Sequence, residues 1–431
     1  MPGADAAPAA EIRSLLRAGK PSAAAVRAAR LIAASFGLDV RSVEFTLDEY
    51  SLNSVSGRVH LGVGTVRFFK FHQEESEEAH VGEYYRTGLL DAAGLPVEVP
   101  VAVSTAPGRQ IALYELRTEP RLADVCLDIE RRDGPAARLP VSLLAARRAL
   151  DAQVASVLVS TLRAPTPASA RSAIHQLFHH RLADASGRFP GGRYRDWYLA
   201  GPSWDDLAAR LWRVNGVLYS STLAELAERA GRLLAPPALA RLPVATAHGD
   251  DHQGNIWVLP GAAAAGDAGT AGGAAGPQLR LFDCAFAGSD IPVLLAPVKA
   301  TFHNALAHPF WLYHPAEAAE RCRIDVTVRD GIIDITDDAV SPLRREILGS
   351  VVELVWVPLL RELRDRGQLA AGWRDVVRSA LFTCPLLVTN LLAASRPEPV
   401  RLLGLARAVV AGSEPADGTD LVTRALDEMA P

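Results

Sequence analysis

The chain reads as an α+β protein of two lobes, a small sheet-bearing lobe followed by a larger, mainly helical one. Three observations predict this. Between residues 40 and 116, short runs alternate apolar and polar positions or gather β-branched and aromatic residues, as strands do. Beyond residue 140 the apolar positions mostly recur at helical spacing. The length, 431 residues, and the 49% hydrophobic content suffice for two sizeable cores.

The elements follow in order. Residues 11–37 predict two short helices broken at Lys20-Pro21, an extension covering 1–39. SVEFTLDEY (42–50), GRVHLGV (57–63) and TVRFFKFH (65–72) read as strands, and an acidic QEESEE leads into a helix near 76–93 that Gly94 and Pro96 end. Strands near 98–104 and 110–116 complete the first lobe, residues 40–116. In the second lobe, 117–431, segments 141–163, 167–184 and 203–234 carry helical periodicity, and helices resume from 342. The Gly- and Ala-rich patch 261–278 reads as a flexible loop at the tip of a hairpin formed by 256–259 and 279–282. RIDVTVRDGIIDIT (323–336) reads as a second hairpin turning at Asp330-Gly331.

A net charge of −4 argues against general nucleic-acid binding, since there is no basic excess to release counterions. Four scattered cysteines without a CxxC spacing suit a reducing cytoplasm. The first residues lack the apolar core of a signal peptide, and no run of eighteen apolar residues predicts a membrane span. Only three lysines occur, Lys20, Lys70 and Lys299, which draws attention to each.

The densest chemistry lies in HGDDHQGN, His248 to Asn255, between two apolar runs. A second acid, Asp283, ends the next strand and comes near Asn255 if the two strands pair. An amide oxygen and a carboxylate are hard ligands suited to Mg²⁺. Asp250 is then free to orient or deprotonate a hydroxyl. Lys70, set among phenylalanines in a strand, needs a charged partner, and Glu83 on the following helix is the best placed of several acids. A base, a metal pair and a separate lysine are the parts that phosphoryl transfer uses.

These residues resemble the aminoglycoside phosphotransferase and choline kinase family, whose catalytic loop is His-Gly-Asp, four residues, then Asn, followed by a strand ending in Asp. The resemblance covers roughly residues 40–310 and implies a bilobal, protein-kinase-like fold: a five-stranded antiparallel sheet with one helix, joined through residues 113–120 to a helical lobe, with ATP between them. It further implies Asp250 as the base, Asn255 and Asp283 as Mg²⁺ ligands, Lys70 on the α- and β-phosphates with Glu83 as its partner, and His248 as a brace of the loop. Ser54, Ser56 and Gly57 stand where a phosphate-covering loop is expected, Leu113 to Leu116, with Glu115 and Leu116, resembles the hinge that meets adenine, and Asp290 resembles an acid that anchors a helix.

The acceptor is the least specified part. Within ATFHNALAHPFWLYHP, four-residue spacing puts Asn304 and His308 on one helical face with Trp311 nearby, which suggests a recognition wall, and Asp251 and His252 are further substrate candidates. Aromatic faces with amide and imidazole donors suit a sugar, an amino sugar or a sugar-containing natural product. An aminoglycoside or amino alcohol is the alternative acceptor. A metal-dependent hydrolase using His248, His252 and Asp283 is the alternative of another class, although Gly249 and Gly254 make the helix such sites need a poor prospect. The expected partners are a small hydroxyl acceptor and no nucleic acid or membrane, for a monomer or a homodimer.

Overall fold

A computed structural model describes residues 8–46, 54–62, 64–72, 83–106, 108–184, 186–201, 203–261, 276–338 and 340–431. Residues 51–53 of the expected phosphate loop, the QEESEE stretch and most of the 261–278 patch lie outside them, as do the side chains of Ser54 and Glu83.

Two helices, α1 (Pro8–Arg17) and α2 (Pro21–Phe36), precede five strands: β1 (Val40–Thr46), β2 (Ser54–Leu61), β3 (Val66–His72), β4 (Ala102–Ser104) and β5 (Ile111–Glu115). The strands form one antiparallel sheet in the order β1-β2-β3-β5-β4, with α3 (Glu83–Ala92) inserted between β3 and β4. The period of two in RFFKFH explains how this sheet serves both a core and a site. Phe69 and Phe71 turn inward and pack with Ile12, Leu31, Ile32 and Val59. Phe68 and Lys70, on the other face, line the cleft between the lobes.

The second lobe holds the larger core, into which Leu90 of α3 and Leu95 and Val97 of the first lobe also pack. It begins with α4 (Leu122–Asp133) and α5 (Val141–Ser160), and its later helices include Trp373–Val388 and Glu398–Gly412. A four-stranded sheet joins β12 (Ile324–Arg329) and β13 (Ile332–Asp337) to β6 (Leu211–Val214) and β7 (Val217–Leu218), with β13 and β6 parallel. The Asp330-Gly331 turn is as expected, both residues having positive φ (52° and 79°). The helix expected over 203–234 is interrupted by β6 and β7. Asn215 and Gly216 make the same kind of two-residue turn, with φ of 51° and 84°. The 167–184 segment is likewise a succession of short helical turns instead of one helix.

Two small ribbons frame the catalytic-loop candidate. β8 (Val244–Ala247) pairs with β11 (Gly288–Pro292), and β9 (Ile256–Leu259) pairs with β10 (Gln278–Leu281). Residues 248–255 are thereby held between two antiparallel pairs. Among the described residues, no helix is long and apolar enough to cross a membrane.

Candidate active site between the lobes

The loop 248–255 is held from within. His248 Nε2 lies 2.9 Å from the Phe282 carbonyl, and its Nδ1 accepts from the Asp250 amide at 3.3 Å. Both nitrogens of this buried ring are therefore committed to bracing, which fits the expected role and leaves none for a metal. Gly249 has φ +80°, and a Cβ there would stand 2.7 Å from the Phe286 carbonyl oxygen, so a side chain is excluded. Asn255 Nδ2 donates to the Asp250 carbonyl at 2.9 Å, and the Asn255 carbonyl accepts from the Phe282 amide at 3.0 Å. The pairing of β9 and β10 thus brings Asn255 beside Asp283, as the spacing predicts.

Asp250 itself is left poised. His252 Nε2 is 3.9 Å from Asp250 Oδ2, and Asp250 Oδ1 has no hydrogen-bond partner within the protein. His252 uses Nδ1 to accept from the Gly254 amide at 3.0 Å, so its Nε2 carries the hydrogen that faces Asp250. Burial pulls the His252 imidazole below its ordinary range, which keeps the ring neutral near pH 7.

Between the lobes lies a cleft of ≈ 220 Å³. Lys70, Asp283 and Asn255 line one part of it, and Lys70 forms an ion pair with Asp283. Asp283 adopts a left-handed conformation, φ 62°, which a non-glycine residue holds only against a steric cost. Because the Asn255 amide nitrogen is committed to Asp250, its oxygen is the atom free to meet a cation. Two oxygen ligands of this kind fit Mg²⁺, which keeps most of its waters and takes few protein groups. Among the described residues, no three His, Cys, Asp or Glu side chains are grouped to hold a metal by themselves.

Tyr114, Glu115 and Leu116 line the cleft where the hinge is expected, and Arg67 holds the Glu115 carboxylate at 2.9 Å. Ser56 also lines it, opposite Lys70 in the sheet register. Ser56 and Gly57 sit within strand β2, not in a loop, and Gly57 has a packing reason. A Cβ there would fall 2.0 Å from the Glu44 carbonyl oxygen of β1. The aromatic floor of the cleft is not evident from motif reasoning: Trp257 and Phe282 stack at 4.4 Å, 19° from parallel. The signal for it was the alternation of β9, which places Trp257 two residues after Asn255 on the same ribbon.

The expected acceptor wall is corrected by burial. Trp311 is 3% exposed within the main core, and Asn304 is 0% exposed. The helix breaks between them: Phe302–Leu306 is a wide π turn and His308 is the cap of the next helix, Pro309–Tyr313, so Asn304 and His308 do not share a helical face. Asn304 instead accepts the Gln253 amide at 2.7 Å, bracing the loop from behind. His308 and Trp311 line a second cavity of ≈ 250 Å³ with Glu130, Arg321 and Arg407. Asp251 also turns away from the cleft and is buried near Arg147, whose bonds to Asp151 lie at 2.5 and 3.0 Å. Asp290 accepts from Arg163 and Thr166 at 2.9 and 2.8 Å, anchoring the turn after α5 where a helix was expected.

No family model matches the chain, and no curated protein does. Solved structures similar to it include the spectinomycin phosphotransferase APH(9)-Ia with ADP and spectinomycin, at 13% identity and TM-score 0.38, over 94% of this chain and 98% of that one. The amicoumacin kinase hAmiN with AMP-PNP, Ca²⁺ and Ami is 13% identical at TM-score 0.40, over 85% and 86%. The macrolide 2'-phosphotransferase MphH from Brachybacterium faecium is 12% identical at TM-score 0.32, over 90% and 97%. At these identities and scores the likenesses carry no argument about this chain's chemistry.

Proposed function

We propose that the protein is a phosphotransferase that moves the γ-phosphate of ATP to a hydroxyl of a small molecule, with Mg²⁺. The observation that carries this reading is Asp250. Its loop is braced on both sides, yet its Oδ1 has no partner within the protein, and the neighbouring cleft gathers a lysine, a carboxylate and an amide oxygen.

In this reading the nucleotide occupies the cleft, with adenine against the Tyr114–Leu116 segment and over the Trp257–Phe282 pair. Lys70 exchanges its contact with Asp283 for the phosphates. Asn255 and Asp283 would hold Mg²⁺, which supplies charge neutralisation at the phosphate oxygens. Asp250 Oδ1 accepts the hydrogen bond of the acceptor hydroxyl and takes its proton as the oxygen attacks the γ-phosphorus. The new O–P bond forms as the bond to the β-phosphate oxygen breaks, and ADP leaves. His252 turns its Nε2–H toward Oδ2 from 3.9 Å, beyond a direct hydrogen bond, and leaves Oδ1 to the acceptor hydroxyl.

The hydrolase reading fits poorly, since a metal would have to displace one of the two contacts by which His248 braces the loop. ADP release measured over a panel of sugars, amino sugars, amino alcohols and aminoglycosides tests the proposal. The expected result is acceptor-dependent, Mg²⁺-dependent ADP release. Hydrolytic turnover that requires zinc and no second substrate would replace it with the hydrolase.

A further inference from the structure

A small cavity of ≈ 30 Å³ lies against the back of the catalytic-loop candidate. His252, Gln253, His303, Asn304, Tyr313 and Arg344 are among its walls. Three of these residues carry a buried nitrogen with no hydrogen-bond partner in the protein: Gln253 Nε2, Asn304 Nδ2 and His303 Nδ1.

The neighbours of each group show that these nitrogens are donors. Gln253 Oε1 faces Arg344 Nη1 at 3.4 Å, so its NH₂ turns the other way. Asn304 Oδ1 takes the Gln253 amide, which leaves its NH₂ unmatched. His303 Nε2 meets Lys299 Nζ at 3.4 Å, so the ring hydrogen sits on Nδ1. Gln253 and Asn304 are 4% and 0% exposed, and a buried donor without an acceptor is costly, because it has given up water and gained nothing in return.

Charge points the same way. Among the described residues, no acid lines the cavity, and its guanidinium, Arg344, is matched by Glu130 outside the walls. Behind His303 stands Lys299, an almost wholly buried amine above the Phe178 ring. Burial pulls its amine below the usual lysine range, with the Cys384 thiol and Asp250 favouring the charge and Arg181 and Arg193 opposing it. Unmatched donors, a cation behind them and no acid form the complement of an oxyanion. A cavity this small takes the oxygens of a carboxylate or phosphate group, not a sugar ring.

His252 separates this cavity from Asp250, with its Nε2 3.9 Å from Asp250 Oδ2. The anion site and the hydroxyl site therefore lie on either side of one imidazole. We infer that the cavity receives an anionic group of the acceptor, so that the acceptor is a small hydroxyl compound bearing a carboxylate or phosphate and not a polycation. This inference rests on the phosphotransfer reading for the identity of the ligand, though not for the existence of the anion site.

Sets of compounds alike except for charge test it: glucuronate, glucose 6-phosphate, glucose and glucosamine, then glycerate, glycerol and serinol. ADP release gives kcat/KM for each, and calorimetry gives binding without turnover. The acid members are expected to exceed their neutral partners by at least about tenfold, with the amines lowest. The carboxylate and phosphate arms tell which oxyanion is preferred. Gln253→Glu keeps the shape and the contact with Arg344 but adds a like charge, and is expected to cut the acid-over-neutral ratio at least about tenfold. Lys299→Met, close in volume, is expected to lower the same ratio through KM more than through kcat.

Equal use of acids and neutral compounds, or a preference for the amines, overturns the inference while leaving phosphotransfer intact. Variants that depress every acceptor equally also overturn it, and mark these residues as bracing around a water. If no compound turns over, the phosphotransfer reading is in difficulty and calorimetry decides the site alone. Charge-selective binding that Gln253→Glu abolishes supports it, and binding indifferent to charge refutes it.

Discussion

At the scale of single residues, the proposed chemistry turns on the two oxygens of Asp250, one facing His252 and the other unmatched. Asp250→Asn keeps the shape and removes the base. It is expected to lower kcat by about 10²–10⁴-fold or more while the Kd for nucleotide shifts only a fewfold, because base and orientation act in the transition state. Rapid-quench turnover and nucleotide titration check this, and near-normal kcat in the variant would remove Asp250 from the mechanism. Much at this scale was legible beforehand. His248, Asp250, Asn255 and Asp283 each lie where the motif spacing puts them, because a short loop between paired strands allows little freedom. The partner of a side chain was less legible. Asp251 lies in the loop, and Asn304 and Trp311 in the polar and aromatic cluster 300–315, but a large lobe buries all three. Local periodicity cannot tell an interior face from a cleft face when both are apolar. Lys299 was conspicuous only by the rarity of lysine, and its setting is wholly tertiary.

At the scale of elements, buried ion pairs tie the helices to the loop. Arg344, on the helix Pro342–Val351, bonds Glu130 of α4 at 2.6 and 2.8 Å and the Asn304 carbonyl at 2.9 Å, with both charged side chains almost fully enclosed. Arg344→Met strands the Glu130 carboxylate and is expected to cost about 3–5 kcal/mol in urea unfolding, whereas adding Glu130→Leu should recover part of that loss. A single variant milder than the double one would show that the pair does not act this way. The segment 173–182 carries a pH dependence of its own. Burial pushes His175 down to about 4, and burial together with the neighbouring His180 and His175 pushes His179 down to about 4. Both rings stay neutral in the folded protein, while unfolded histidines protonate near about 6.5. Their contribution is therefore full above about pH 6.5, declines as pH falls towards about 4, and totals on the order of a few kcal/mol. Urea midpoints across that range check it, and a His175→Gln/His179→Gln protein is expected to show a flatter profile. The β6–β7 hairpin shows why sequence reading failed for one element. Asn215-Gly216 sits inside a run whose apolar spacing also suits a helix, and the parallel pairing of β6 with β13 decides for strand from about 120 residues away.

At the scale of the whole molecule, the lobes meet through apolar packing of Leu90, Leu95 and Val97, the Arg280–Glu98 pair and a set of polar contacts beside them. The Leu281 backbone bonds to Pro96 and Glu98 at 2.7 Å each, Arg86 reaches the Ala285 carbonyl, and Lys70 meets Asp283 across the cleft. A ligand that touches both lobes stabilises the folded protein by mass action. Under the proposed function, AMP-PNP with Mg²⁺ should raise the midpoint of thermal unfolding more than AMP-PNP with EDTA. Asp283→Ala should erase the difference between the two; a difference that persists in the variant would free Asp283 of the metal role. The apolar interior is divided: one part lies under α1, α2 and the first sheet, and the larger part fills the helical lobe and takes in Leu90 of α3 with Leu95 and Val97. Cooperativity runs through contiguous packing, so α3 is expected to open with the helical lobe, and the sheet with its two covering helices apart from it. Under the proposed function, the nucleotide then works as a reversible cross-link whose strength its own concentration sets. Empty, the sheet and those two helices are expected to breathe on their own clock, with amides that exchange with solvent ahead of the rest. Occupied, the two clocks run together.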